Sequence, residues 1–307
     1  MITRNLLRRL DLTTLQLLVA VAEEGTLTRA AEREAIAVSA ASKRLVDLES
    51  SLGVTLFVRQ AKGMQLTPIG ETLLQHARRM LLGVEKLGLE LSEHVQGVRG
   101  YVRMLANLSA IVQFLPEDLR AFIVLHERIK IDLEERPSDG VVQGVADGWA
   151  DIGICSGDVR VQDLVSVRYR EDRLIVVMPP DHPLAGQQQV SFSDTLDSDY
   201  VGLHSASSIY RRTQLAAYQA ERPLRLRIHV PGFDAVCRMV QAGMGIGIIP
   251  RIAYESLGQP LGLRAVDLSD AWARRELRLV VRDEEGLSPC ARLFFDHLRQ
   301  IERNTVR

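Results

Sequence analysis

The chain of 307 residues is 46% hydrophobic and 25% charged, and its formal net charge is −1. This length allows two or three domains with cores of their own, and the composition excludes a disordered or fibrous protein. Three widely spaced cysteines (Cys155, Cys237 and Cys290) lack the CxxC spacing of zinc and redox sites, so we expect reduced thiols, no metal and no cofactor.

The N-terminus has two interpretations. Arg4, Arg8 and Arg9 precede an apolar stretch over residues 10–22, as they would in a secretory signal peptide. Polar residues interrupt that stretch, however, and its apolar residues recur at the i, i+3, i+4 and i+7 positions of a helix: Leu15, Leu18, Val19 and Ala22. We favour the amphipathic helix. Because no run reaches the roughly 18 apolar residues that cross a membrane, we expect a cytoplasmic protein without a membrane segment.

Three short helices are predicted next, at about 12–24, 27–34 and 38–52, with Gly25 ending the first and Thr26 capping the second. One side of the third helix is apolar, and its opposite side carries Ser39, Ser42, Lys43 and Asp47. Segments 54–57 and 64–66 can form two strands of a wing with a basic tip at 59–63. This order predicts a winged helix-turn-helix that presents its third helix to the DNA major groove.

Residues 11–70 resemble the DNA-binding domain of LysR-type transcriptional regulators, and the resemblance extends more loosely over nearly the whole chain. The matching residues are Leu12, Leu15, Val19, Ala22, Gly25, Thr26, Arg29, Ala30, Ala31, Glu32, Ser42, Lys43, Arg44, Leu45, Leu48, Glu49, Leu52, Gly53, Leu56, Phe57, Arg59, Leu66, Thr67, Pro68 and Gly70. Ala37 and Val38 stand where the family usually has Ser and Gln. The loss of a Ser cap costs about 1 kcal/mol, and the loss of Gln removes a side chain that could pair with adenine.

The resemblance implies which side chains contact double-stranded DNA. Ser39, Ser42, Lys43 and Arg44 would enter the major groove, where Val38 could touch a thymine methyl group. Phosphate would be contacted by Arg29, and the wing's backbone or minor-groove contacts would come from Arg59 and Lys62. A regulator of this kind also makes RNA polymerase a candidate partner.

A long helix follows, with Thr67 as its cap and Pro68 in its first turn. It carries an apolar seam at alternating spacings of four and three residues: Leu73, Ala77, Met80, Val84, Leu87 and Leu91. That spacing is typical of a coiled coil, so we favour pairing with a second copy over packing on its own domain. The resemblance implies a homodimer, commonly paired into a homotetramer, whose two DNA-binding domains occupy an interrupted inverted repeat.

The pattern changes beyond residue 101, where apolar runs typical of strands alternate with helical stretches. We expect strands at 102–106, 129–133, 152–155, 174–178, 201–203 and 246–249, and helices at 110–125, 141–148, 211–220 and 234–243. These elements predict a mostly parallel α/β domain. The resemblance implies a periplasmic-binding-protein-like effector domain of two lobes, joined by strands near 168–178 and 276–282, with a last helix at about 289–301 returning to the first lobe.

The predicted domains are therefore a winged helix-turn-helix at 1–66, a linker and dimerisation helix at 67–97, and an effector-binding domain at 98–307. Within the last, lobe I would cover about 98–168 and 283–303, and lobe II about 169–282. Ligands in such folds bind at strand ends and helix N-termini, which favour anions. The candidate effector-binding residues are Asn107, Ser109, Ser138, His204, Ser205 and Phe233. A small organic anion or an aromatic metabolite is the expected ligand.

The sequence gives little support for an enzyme. The glycine-rich segment 243–247 follows a predicted helix and leads into a strand, the reverse of a dinucleotide-binding loop. GxSxG, HExxH and Walker motifs do not occur in the sequence. Two functions remain: a ligand-responsive transcriptional regulator, which we favour, and a cytoplasmic solute-binding protein whose N-terminal module does not bind DNA.

Overall fold

A computed structural model describes residues 10–60, 63–96, 100–161 and 163–305, without the side chains at 82, 85, 86, 89–96 and 301–305. Its contacts define two compact units. The first comprises the chain up to residue 97 together with residues 147–149, and the second comprises the remainder. Among the helices in the described ranges, none is long and apolar enough to cross a membrane.

The first unit is a winged helix-turn-helix followed by a long helix, as the sequence predicts. Its elements are α1 (Leu12–Glu24), α2 (Leu27–Arg33), α3 (Val38–Leu52), β1 (Phe57–Gln60), β2 (Gly63–Leu66) and α4 (Pro68–Gln96). The helices enclose a core that includes Leu18, Ala31 and Leu45, all at most 4% exposed. Gly25 ends α1 in the left-handed conformation (φ 69°), whereas Ala37 makes no side-chain cap for α3.

The second unit contains ten strands and seven helices among its described residues, besides short irregular helical segments at 251–261 and 271–273. The strands are β3 (Gly100–Ala106), β4 (Ile129–Glu135), β5 (Ile152–Ser156), β6 (Val165–Met178), β7 (Gln189–Val190), β8 (Tyr200–Leu203), β9 (Leu226–Val230), β10 (Ile246–Pro250), β11 (Arg264–Leu268) and β12 (Arg274–Val281). The helices are α5 (Leu108–Gln113), α6 (Leu115–Leu125), α7 (Ser138–Ala146), α8 (Phe192–Thr195), α9 (Ser208–Gln219), α10 (Phe233–Gln241) and α11 (Pro289–Thr305).

Two lobes share the two crossing strands. The first lobe has the strand order β4-β3-β5-β12-β6, and the second continues from the far end of β6 through β10, β8 and β9. Parallel pairs join β3 to β4 and β5, and β8 to β9 and β10. The crossing strands β6 and β12 pair antiparallel from Val165↔Val281 to Arg173↔Arg274. Helix α11 packs Phe294 and Phe295 into the core of the first lobe.

Several predicted bounds differ from the structure. The wing's first strand was expected at 54–57 but begins at Phe57, because Leu56 and Phe57 donate their N–H groups to a Glu49 carboxylate oxygen before the ladder starts. The single helix predicted at 110–125 is broken at Phe114, just before a helix with Pro116 in its first turn. Strands β7, β9 and β11 were not predicted.

Candidate DNA-binding and effector-binding sites

The outer face of α3 combines short polar, cationic and apolar side chains. Ser39 and Lys43 are exposed and Ser42 is half-buried. Val38 is 42% exposed and Val46 is 54% exposed. Because positions 39, 42, 43 and 46 are related by helical spacings of three, four and seven, they share one face. Val46 was missed by our sequence reasoning, although its spacing from Ser39 and Ser42 could have identified it.

Arg44 lies on a different side of α3 from Ser39 and Lys43. Its Nη1 donates to Thr14 Oγ1 at 3.1 Å and lies 3.3 Å from Asp11 Oδ2. Burial alone would raise the pKa of Asp11, but hydrogen bonds from Thr14 and the adjacent guanidinium of Arg44 outweigh it and lower that pKa. The arrangement ties α3 to the start of α1, so Arg44 has a structural role besides its predicted DNA contact.

The wing is fixed from two sides. A Glu49 carboxylate oxygen accepts hydrogen bonds from the backbone N–H groups of Leu56 (2.6 Å) and Phe57 (3.2 Å). At the other strand, Met64 N donates to Gly25 O at 2.7 Å. Gly63 has φ 137°, and a Cβ there would overlap the Gly25 carbonyl oxygen, so only glycine fits.

Both arginines predicted to contact the DNA outside the major groove are exposed. Arg59 lies on β1 with an exposed side chain, and the side chain of Arg29 is 70% exposed. Lys62, predicted at the wing tip, lies outside the described residues. The exposed cations are therefore available to a phosphate backbone, which is the sequence-independent part of DNA affinity.

The predicted dimerisation seam divides along α4. Ala77 is fully buried, and Leu73 packs against the same core of the first unit. Met80, Val84 and Leu87 are 41%, 44% and 55% exposed. The side chain of Leu91 lies outside the described residues. Packing within the first unit thus accounts for the first two apolar positions, and the next three present an apolar stripe.

In the second unit, one small cavity lies where helix N-termini of the two lobes meet. It is lined by five of the six predicted effector-binding residues: Asn107, Ser109, Ser138, His204 and Phe233. Ser205 is exposed and does not line it. Helices α7, α9 and α10 begin at or beside the cavity. Its volume is about 20 Å³, roughly the space that one water molecule needs.

Hydrogen bonds fix the orientation of the cavity's polar side chains. Asn107 caps α5 by accepting from Ala110 N at 3.0 Å, and its amide donates to Ser138 Oγ at 3.1 Å. Ser138 Oγ also accepts from Ser156 N at 3.1 Å. Since these two donors occupy both acceptor positions of the hydroxyl, Ser138 retains one O–H donor. That donor suits a carboxylate or carbonyl oxygen.

A buried ion pair lies behind Ser109 on the two crossing strands. The Nε and Nη2 groups of Arg275 bind the Asp172 carboxylate, with 2.8 Å between Nε and Oδ1. Nη2 also donates to Ser109 Oγ at 3.0 Å. Gln113 Nε2 donates to Asp172 Oδ2 at 3.0 Å. The Arg275 and Asp172 side chains are 0% and 1% exposed. Sequence reasoning missed this pair.

Two further ion pairs join the lobes beside the cavity. Arg211 in α9 binds Asp139 at the start of α7, and Arg212 Nε lies 3.0 Å from Asp158 Oδ2. Arg212 Nη1 also donates to Trp272 O at 3.0 Å. Both arginines belong to the second lobe and both aspartates to the first, so these pairs favour the arrangement in which the lobes are close together.

Comparison with known proteins identifies both units. Residues 12–71 match the family model of the bacterial regulatory helix-turn-helix protein, lysR family, and residues 96–302 match that of the LysR substrate binding domain. The chain belongs to the LysR family. It is a DNA-binding transcriptional regulator with an effector-binding domain, not the solute-binding protein that our alternative proposed.

Individual relatives of this LysR-family regulator match it along most of its length. The RuBisCO operon transcriptional regulator of Allochromatium vinosum is 26% identical over 285 residues, covering 92% of this chain and 94% of the relative. The crystal structure of full-length CbnR complexed with its target DNA has a TM-score of 0.71 at 20% identity and covers 95% of this chain and 99% of CbnR. The effector binding domain of QuiR in complex with shikimate has a TM-score of 0.60 at 18% identity, covering 67% and 98%.

Proposed function

We propose that this regulator is a cytoplasmic, non-enzymatic protein that binds an interrupted inverted repeat as a homodimer and responds to a small organic anion in the interlobe cavity. The observation that carries the DNA-binding part is the outward face of α3, where Ser39 and Lys43 are exposed beside a wing with an exposed Arg59. Short polar side chains let a helix backbone approach base edges, and the cations reach bases or phosphates.

The homodimer is supported by the exposed part of the α4 stripe. Met80, Val84 and Leu87 are each about half exposed, at the alternating spacing of a coiled-coil seam. Pairing with the same stripe of a second copy would remove them from water and set the distance between two α3 helices. A tetramer would follow from the pairing of two such dimers.

The effector class is supported by the polar groups around the cavity. Helix N-termini present partial positive charge, and the Ser138 hydroxyl retains a donor. QuiR binds shikimate, which is a carboxylate, in a domain of the same fold. The cavity of about 20 Å³ is too small for a metabolite, so the lobes must separate for a ligand to enter.

This size mismatch supports a population shift as the mechanism. The Arg211–Asp139 and Arg212–Asp158 pairs hold the lobes together in the structure. A ligand that binds a more open arrangement better than this one shifts the equilibrium towards it. In a dimer, that change would alter the placement of the two DNA-binding domains and hence the span or bend of the bound DNA.

A gel-shift titration on the intergenic DNA upstream of the protein's own gene tests the DNA-binding part. Lys43→Ala should weaken specific binding. If Lys43 contacts a phosphate, the slope of log K against the logarithm of the salt concentration should also become shallower by about one. Lys130→Ala is the matched control, because Lys130 is also exposed but lies on β4 of the second unit. No specific binding at modest salt, or equal affinities for wild type and Lys43→Ala, would contradict the proposal.

A further inference from the structure

The buried Arg275 guanidinium has hydrogen-bonding capacity that the protein itself does not use. Its side chain is fully buried, and its Nη1 has no hydrogen-bond partner among the described residues. An unsatisfied buried donor is costly, and a charged one more so. An arginine placed in this way therefore requires an explanation beyond the stability of the fold.

The geometry shows which part of the guanidinium is unused. A guanidinium has one edge formed by Nε and Nη2 and a second formed by Nη1 and Nη2, and each matches the two oxygens of a carboxylate or phosphate. Asp172 occupies the first edge. The second edge is half occupied, because Nη2 donates to Ser109 Oγ at 3.0 Å while Nη1 has no acceptor among the described groups.

The half-occupied edge lies one hydrogen bond away from the effector cavity. Arg275 itself does not line that cavity, but Ser109, whose hydroxyl accepts from Nη2, does. We propose that Arg275 binds the anionic group of the effector, a carboxylate or phosphate, whose oxygens accept from Nη1 and Nη2 in place of the Ser109 hydroxyl. This inference rests on the proposed effector function of the cavity and names its ligand class. Opening of the lobes gives the anion access to the edge that is closed in the present arrangement.

The position of Arg275 connects ligand binding to lobe movement. Arg275 and Asp172 are directly opposite each other on β12 and β6, the two strands that cross between the lobes. Asp172 is fixed by Gln113 of the first lobe, so the guanidinium is positioned before the ligand arrives. An anionic ligand gains more from the second edge than a neutral acceptor does, because hydrogen bonds between two charged groups are the stronger ones.

Isothermal titration calorimetry on the full chain tests this inference, with benzoate, shikimate and inorganic phosphate as anions and benzamide as the uncharged analogue of benzoate. The principal variant is Asp172→Asn/Arg275→Gln, since removal of only one charge would leave the other buried and unpaired. The matched control is Asp118→Asn/Arg170→Gln, another largely buried pair, with 2.8 Å between Arg170 Nη2 and Asp118 Oδ2 but outside the cavity lining.

We expect the wild-type chain to bind at least one of the anions and to bind benzamide at least about tenfold more weakly than benzoate, a factor that corresponds to one charge-assisted contact. The Asp172→Asn/Arg275→Gln variant should lose at least about tenfold in anion affinity, whereas the control should stay within about twofold of wild type. Arg275→Lys, which keeps the charge but lacks the two-nitrogen edge, should also weaken anion binding. Circular dichroism verifies that each variant is folded.

Several results would overturn the inference. One is equal anion affinity in wild type and the Asp172→Asn/Arg275→Gln variant. Another is benzamide binding as tight as benzoate binding, and a third is the absence of anion binding by wild type at millimolar concentration. If that variant does not fold, unchanged anion affinity in Arg275→Lys overturns it, since the lysine ammonium cannot replace the two-nitrogen edge. Gel shifts on the same wild-type sample separate the two proposals: specific DNA binding without anion binding contradicts only this inference.

Discussion

Replacement of Ser138 by alanine should destabilise the effector-binding unit as well as alter its cavity. Ser138 is 2% exposed, and its hydroxyl accepts from Asn107 Nδ2 and Ser156 N, both at 3.1 Å. Ser138→Ala leaves these two buried donors without their acceptor. Each such loss costs about 1–3 kcal/mol. The other Nδ2 hydrogen of Asn107 and local relaxation offset part of this cost, so we take about 1 kcal/mol for each donor and expect a total loss of about 2 kcal/mol.

Differential scanning calorimetry of the full chain measures this effect. For a unit of about 200 residues, 1 kcal/mol shifts Tm by about 2–4 °C, so Ser138→Ala should lower the Tm of this unit by about 4–8 °C. Ser205→Ala is the control, because Ser205 is exposed and outside the cavity lining. If the two variants melt at the same temperature, the hydroxyl does not stabilise the buried network, and our description of the site is wrong.

Three further predictions concern other parts of the chain. Arg44→Ala should lower the free energy of unfolding by at most about 1 kcal/mol, because its pair with Asp11 is largely exposed; urea denaturation measures this, and a larger loss would contradict it. Val84→Glu should convert the oligomer to a smaller species in analytical ultracentrifugation, since this side chain is 44% exposed within one chain; an unchanged mass would contradict the dimer seam. Burial lowers the pKa of His182 below its usual 6.5, against the opposing charge of Asp181. Just below pH 6.5 the unfolded chain therefore binds more protons than the folded chain, so stability should rise with pH there. In His182→Asn, unfolding midpoints measured across mildly acidic pH should rise less than in wild type, and an equal rise would contradict the prediction.

The three N-terminal helices could be predicted because their limits depend on local chemistry. Gly25 supplies the left-handed residue that ends α1, and Thr26 accepts the capping hydrogen bond of α2 from Arg29 N. Such signals act within one helical turn and can be read from a few consecutive residues. The predicted and observed starts of α1, α2 and α3 consequently agree.

Elements that depend on distant partners were predicted less well. The 54–56 segment alternates like a strand, but Glu49 and Thr67 take its backbone groups instead. Strands β9 and β11 are short, and β9 lies at the end of the sheet order. Their formation depends on pairing with β8 and β6, respectively, and strand propensity alone carries little of that information.

The lining of the candidate effector cavity was predicted in part for the same reason. Asn107 and Ser138 lie just after predicted strands, where ligands bind in open α/β sheets. Arg275, by contrast, is 166 residues from Ser109 along the chain. The pairing of β12 with β6 places the Arg275 guanidinium next to Ser109 of the first lobe. No pattern of neighbouring residues in the sequence indicates this contact.

The two crossing strands also make the second lobe a single continuous insertion. The chain leaves the first lobe along β6 and re-enters along β12, while α11 completes the first lobe's core. Residues 179–273 could therefore be exchanged as one block for the corresponding block of another member of the family. Such a chimera would keep the promoter specificity of this protein and acquire half of a different ligand pocket, which offers a route to biosensors with new inducers.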